Sequence, residues 1–474
     1  MQDDLALGGE AAKAIPALDD RDAKILFELA QRERERRLGD LAAFCRAREV
    51  FFMCERDEIF ELPDDHSRRF AQGPPEPAAY ERTVIDPSIF DRPTHAELAS
   101  RRSTKWTRFA PDVVPAFVAE LDVELAEPIA RVLHEAIARG DTGYANPVDL
   151  PDVYANFARE RFSWEIDPRT VFVVPDVMVG VVEALRVLVR PGDAVAINTP
   201  VYAPFYTSLE EAGVRRVDVP LAHRVDGTYD LDLDSLEAAF ASGVRAYLLC
   251  NPHNPVGRAF PQSTLDAVAE LAARHDVVVL SDEIHAPLAY ASAPHTAFVM
   301  CARRHGARAL ALVSASKAWN LAGLKCALVV ACDGDVARVL GTMPKEVRYR
   351  TGHLGALAAT AAFAEGGPWL DALRTHLDGN RRYLGELLAE AIPTIPYVAP
   401  EATYLAWLDC RKLGLGEHPA RAFLRDGRVA LSAGTDFGAA GAGYVRLNFG
   451  TTRAMLREIV ARMARAVQVA GIAS

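Results

Sequence analysis

The stretch "ARALALVSASKAWNLAGLK", Ala307 to Lys325, sets a lysine directly behind an apolar run. The run is β-rich, with Gly306 before it and the hydroxyls of Ser314 and Ser316 after it, which reads as a buried strand. Lys317 then stands at the carboxyl end of that strand. A buried ammonium is costly, so a lysine in this place needs a partner or a reaction.

The same pattern repeats outward from it. Between about residues 170 and 332, the runs "TVFVVP", "DAVAINTP", "RRVDVPL", "RAYLLCNP", "DVVVLSDEI", "ALALVSAS" and "CALVVAC" alternate with helical stretches. One of these, "STLDAVAELAARHD", repeats Leu265, Val268 and Leu271 at helical spacing. The alternation predicts an α/β fold, a large domain whose mainly parallel seven-stranded sheet is covered by helices. Beyond it, "GPWLDALRTHLDGNRRYLGELLAEAI" predicts a long helix. Three β-like runs, "TYLAWLD", "RVALSAG" and "GYVRLNFG", and an amphipathic helix from about Arg453 complete a smaller α+β domain.

The first hundred residues differ. "DRDAKILFELAQRERERRLGDLAAFCRAREVFFM" is helical in pattern, with Ile25, Leu26, Leu29, Leu38, Leu41 and Phe44 set around a solvated "RERERR" face. A proline- and charge-rich stretch follows. The expected division is an N-terminal helical extension and linker at 1–97, and an arm with part of the small domain at 98–150. The large domain spans 151–350 and the C-terminal small domain 351–474.

Composition narrows the class. With 474 residues, 50% hydrophobic and 25% charged, the chain is for the most part neither disordered nor fibrous. A net charge of −11 argues against a nucleic-acid surface. No run approaches the roughly 18 apolar residues of a membrane span, so no membrane partner is expected. The acidic start "MQDDLALGGE" lacks the basic and apolar regions of a signal peptide. The seven cysteines are scattered and never form C-x-x-C. Reduced thiols in a cytoplasmic protein are the expectation, and no metal-ligand spacing is present.

In open α/β sheets ligands sit outside the carboxyl ends of the strands. Four such ends carry chemistry: "VVPDVMVG", opening a helix near Val177; "NPHNPVG", after Cys250; "SDEIH", with Asp282; and "SASK", with Lys317. A helix start with small hydroxyls and a cation suits a phosphate. A carboxylate keeps a heteroaromatic nitrogen protonated, and a lysine condenses with a carbonyl cofactor. Together these parts describe a pyridoxal phosphate site.

In that order, "NPHNPVG", "SDEIH" and "SASKAWNLAGLK" resemble the fold-type I pyridoxal phosphate enzymes that include aspartate aminotransferase. "KWTRFAPDVVPAFVAELDV" (Lys105 to Val123), "GDTGYANP", "NTPVYAPFY" and "AGYVRLNFG" are similar to words of one subgroup, the cystathionine β-lyases of the MalY and PatB type. The resemblance spans about residues 100 to 470. It implies that Lys317 holds the cofactor and moves the α-proton, and that Asp282 pairs with the ring nitrogen. Asn254 would bond the ring oxygen and Tyr202 would stack on the ring. The amides of Val177 and Met178, with Ser314 and Lys325, would hold the phosphate. Tyr144 would reach it from the partner subunit, making the active unit a homodimer with shared sites. Arg446 would clamp the carboxylate of a small amino-acid substrate.

There are departures. "VAELD" stands where an aspartate-methionine-aspartate word is more familiar, and Asp176 precedes the phosphate-binding amides, where it must turn away or cap the helix. The N-terminal hundred residues have no counterpart in the compact lyases. The implied reaction is β-elimination from an S-substituted L-cysteine, giving thiol, pyruvate and ammonia. Aminotransfer, or decarboxylation-coupled oxidative deamination, is the alternative on the same scaffold. A regulator that merely keeps the fold would be expected to lose Lys317 or Asp282 first.

Overall fold

The computed structural model describes residues 84–471. The expected N-terminal helix with Ile25, Leu26, Leu29 and Phe44, its "RERERR" face, Cys45 and Cys54 lie outside the described residues.

All seven runs of the large sheet are strands. They are β1 (Val171–Val174), β2 (Ala194–Thr199), β3 (Arg215–Pro220), β4 (Val244–Cys250), β5 (Val278–Asp282), β6 (Ala309–Val313) and β7 (Ala327–Ala331). They lie in the order β1-β7-β6-β5-β4-β2-β3. Only β7 runs antiparallel to its neighbours. Every residue of β2, β5, β6 and β7 is buried, because helices cover both faces of a largely parallel sheet. β3, "RRVDVP", is mostly exposed and closes one edge, where charge and a terminal proline discourage further pairing.

Register places the chemistry. Cys250 pairs with Asp282, and Asp282 with Leu312, so β4, β5 and β6 end side by side. β7 enters from the same edge, and so does α1 (Val177–Leu188), which follows β1. At Gly180 inside α1, a Cβ would come within 2.9 Å of Leu312 Cδ2 and 3.2 Å of Val329 Cγ2. The missing side chain lets the helix lie close against the sheet.

The three later runs form the small sheet: β8 (Leu405–Asp409), β9 (Ser432–Ala433) and β10 (Tyr444–Asn448), antiparallel in the order β8-β10-β9. The helices α2 (Gly367–Ala391) and α3 (Arg453–Val469) appear where the sequence predicts them and pack on each other. Leu373, Leu377, Leu384 and Leu388 form the buried stripe of α2.

Between sheet and site runs an irregular strap, residues 117–123, fastened by side chains. Asn320 accepts from Leu121 N at 2.8 Å and donates to Leu121 O at 3.0 Å. Asn448 Nδ2 donates to the carbonyls of Val118 and Glu120. Lys105 Nζ lies 2.7 Å from Asp122 Oδ2 with both side chains nearly wholly buried, and it also donates to Glu120 O. Trp106 Nε1 reaches the other Asp122 oxygen at 3.3 Å. The "KW" and "ELD" words are therefore two halves of one buried ion pair.

Removing half of such a pair strands a charge. Asp122→Ala should lower stability by about 3–5 kcal/mol in urea unfolding. A Lys105→Met, Asp122→Leu double variant should recover most of the loss.

Candidate active site

A cavity of about 260 Å³ opens at the shared strand ends, and all the residues singled out above line it except Tyr144. Val177 and Met178 stand at the start of α1. Asp176 caps that helix, its Oδ1 accepting from Val179 N at 2.9 Å. The first amides of a helix have no intrahelical acceptor, so those of Val177 and Met178 remain free for an anion. The expected cap is there, and its other oxygen lies 3.0 Å from Lys325 Nζ. Lys325 adopts φ 59°, which is uncommon outside glycine.

Ser314, buried beside them, donates to Cys326 O at 2.7 Å and accepts from Ser316 N at 3.1 Å. Its hydrogen is thus directed at the protein, and serving an anion requires the hydroxyl to turn. Ser316, read from the sequence only as a strand boundary, also lines the cavity.

Lys317 donates to Ala119 O at 3.1 Å, the same carbonyl that accepts from Tyr404 OH at 3.0 Å. Burial and the nearby Arg446 cation push its amine down to about 8, against the opposing pull of Glu120 and Asp282. Asp282 is 3% exposed. Its Oδ1 accepts from Ile284 N at 3.1 Å. Burial raises its pKa to about 7, opposed by the Ile284 amide and by Lys317. Such a carboxyl gains from a cationic partner.

Arg446, on β10, is buried. Nη1 donates to Asn254 Oδ1 at 3.0 Å, and Nη2 to Phe117 O at 2.8 Å and Ser432 Oγ at 3.1 Å. Its Nε meets no acceptor among the described residues. Burial lowers its pKa to about 10, so it remains a cation at neutral pH. Tyr202 and Asn254 sit on loops tied by His253, whose ring nitrogens lie 2.8 Å from Pro200 O and 3.2 Å from Cys250 O. Burial holds this histidine neutral, with a pKa of about 4. Its role was missed, although the sequence shows it inside "NPHNPVG". His285 is buried in the cavity wall and its Nδ1 has no partner among the described residues. Tyr144 lies elsewhere, 90% exposed.

The donor set fits pyridoxal phosphate. A helix start and a lysine suit the phosphate, a buried carboxyl suits a ring nitrogen, and an amine stands among them.

Residues 122–463 match the aminotransferase class I and II family. The chain belongs to that family. A Mycobacterium tuberculosis protein provisionally named cystathionine β-lyase is 45% identical over 408 residues, covering 80% of this chain and 98% of its own length. Cystathionine β-lyase PatB of Bacillus subtilis is 32% identical over 382 residues, covering 78% and 98%. A solved structure from Corynebacterium diphtheriae, provisionally named a PLP-dependent β-cystathionase, has a TM-score of 0.75 and 32% identity, covering 79% and 98%. The family read from "NPHNPVG", "SDEIH" and "SASK" is borne out. Among the described residues no group of three His, Cys, Asp or Glu could hold a metal ion, and no helix is long and apolar enough to cross a membrane.

Asp282 makes a pH signature measurable. Its carboxyl titrates near 7 in the folded chain against 3.8 ordinarily, so between these values the native state keeps a proton that the unfolded state has released. Stability therefore falls as pH rises through this window and carries the full penalty above about 7. In cofactor-free protein, Asp282→Asn should be roughly 2–4 kcal/mol more stable than the parent at pH 8 and nearly equal at pH 4, by urea unfolding.

Proposed function

We propose that this protein is a pyridoxal-phosphate-dependent carbon–sulfur β-lyase that cleaves an S-substituted L-cysteine to thiol, pyruvate and ammonia. The observation that carries the reading is the convergence of Lys317, Asp282, Asn254, Tyr202, Arg446 and the open start of α1 on one cavity. The names of the relatives favour elimination over aminotransfer, which would use the same residues up to the proton step.

Bound there, pyridoxal phosphate supplies a ring that accepts the electron pair left at the substrate Cα. Val177 and Met178 amides, Ser314 and Lys325 would hold its phosphate, and Tyr202 would lie against its ring. Asn254 would bond its oxygen, and Asp282 would keep a proton at its nitrogen. Arg446 grips the substrate carboxylate as a fork, exchanging its bond to Asn254 for one to substrate. Lys317, with an amine close to neutral in affinity, removes the Cα proton. The Cβ–S bond then breaks, sulfur leaves with the electron pair, and one water balances thiol, pyruvate and ammonium.

The division of the chain at about residues 97, 150 and 350 belongs to this reading. So does a homodimer in which Tyr144, exposed on one chain, completes the partner's phosphate site.

Three outcomes test it. An S-alkyl cysteine should yield thiol, pyruvate and ammonia in equal amounts without added keto acid. A product that keeps its C–S bond and loses its amino group would replace lyase with aminotransferase. Lys317→Ala should lose both turnover and borohydride-fixed cofactor, whereas Arg446→Lys should raise KM at least tenfold with cofactor retained. Mixing inactive Tyr144→Ala and Lys317→Ala chains should restore activity in hybrid dimers; no recovery despite subunit exchange would mean that the sites are not shared.

A further inference from the structure

Two carboxylates line the cavity, Asp282 and Asp176, and only the first has a task in the chemistry proposed above. Asp176 stands directly before α1. Its Oδ1 accepts from Val179 N at 2.9 Å, and its Oδ2 lies 3.0 Å from Lys325 Nζ. One side chain thus holds both the helix start and the lysine assigned to the phosphate.

Capping alone does not call for a charge. Serine and asparagine cap a helix about as well as aspartate does. The positive end of a helix favours a negative group, and a phosphate draws on that same end. At α1 the chain already supplies the negative group. A phosphate dianion on the amides of Val177 and Met178 is therefore a second anion at one helix end, next to a carboxylate.

Lys325 does not offset this repulsion, because its charge is answered by Asp176. The other cations of the lining are engaged away from the phosphate end: Lys317 is bonded to Ala119 in the strap, and Arg446 to Phe117 and Asn254. Nor can Lys325 withdraw by moving its backbone. Gly352 N donates to Lys325 O at 3.0 Å, and a Cβ at Gly352 or Gly355 would lie 2.6 or 2.1 Å from Leu324 O. The start of the helix His353–Glu365 therefore lies directly on this peptide and fixes Lys325 at its φ of 59°. Only the side chain is left to move between Asp176 and a phosphate.

We propose that Asp176 sets how tightly this chain holds pyridoxal phosphate: by claiming Lys325 and adding a negative charge at the start of α1, it weakens the grip on the phosphate group and makes the cofactor exchangeable. The proposal rests on the phosphate placement given above and not on the reaction.

The test is equilibrium dialysis of the full-length protein against graded pyridoxal phosphate, with pyridoxal, which lacks the phosphate, as the matched probe. Asp176→Asn keeps an oxygen for Val179 N and removes the charge, and Asp176→Ser is a second neutral cap. Each should bind pyridoxal phosphate at least about tenfold more tightly than the parent, since a like charge beside the dianion is gone. Pyridoxal should bind parent and variants within about twofold. Lys325→Met should weaken pyridoxal phosphate binding at least about threefold more in the Asp176→Asn background than in the parent, because the lysine is then undivided. Unchanged or weaker binding of pyridoxal phosphate in both neutral-cap variants, or equal tightening for pyridoxal, would overturn the proposal. An equal loss from Lys325→Met in the two backgrounds would overturn the claim on Lys325. No saturable binding of pyridoxal phosphate by parent or variants would refute the phosphate placement and the proposal with it. A chain that responds as expected yet cleaves no cysteine conjugate would keep the proposal and refute the lyase.

Discussion

Parallel register at the centre of the large sheet is the constraint on which the rest depends. Because Cys250, Asp282 and Leu312 are paired across β4, β5 and β6, the loops that leave these strands emerge within reach of one another. None of the functional side chains needs a long excursion to meet the others. The burial that holds the register also removes Asp282 and Lys317 from bulk water, and this draws their proton affinities toward neutrality from opposite sides. Packing and chemistry thus share one origin.

The small sheet contributes by a different route. Arg446 does not reach the cavity alone; it is bonded to Asn254 from the large sheet and to Phe117 in the strap. The strap is in turn bonded by Asn320, which follows Lys317 closely, and by Asn448, two residues beyond Arg446. Lysine and arginine are therefore referenced to one piece of backbone. The hydrogen-bonded strap ties the positions of Lys317 and Arg446 to each other through one short piece of backbone.

The strands were legible in the sequence because a sheet buried on both faces writes continuous apolar runs, and "DVVVLSDEI" or "CALVVAC" have no competing helical period. The strand-end chemistry was legible for a related reason: Asp282 and Lys317 are polar residues placed where the apolar pattern stops. What escaped was long-range polar bonding. Nothing in "KW" or "ELD" alone announces that Lys105 and Asp122 meet, since they stand 17 positions apart with no shared period. The bridging by His253 and the turn of the Ser314 hydroxyl toward Cys326 were hidden likewise, because hydrogen-bond partners depend on coordinates and leave no periodicity. Asp176 was the exception, as a carboxylate directly before a helix has few other options.

Gly180 shows how far from the cavity the site's tolerance to change is decided. The residue touches no proposed ligand, yet it sits one turn behind the open amides of Val177 and Met178 and against the side chains of β6 and β7. Any larger side chain there must lift that end of the helix or displace Leu312 and Val329. Substitutions that leave every polar group of the site intact can still move the open amides at the start of α1. In lineages that inherit this scaffold, the freedom of the site to drift in sequence is bounded by a contact made wholly inside the hydrophobic core.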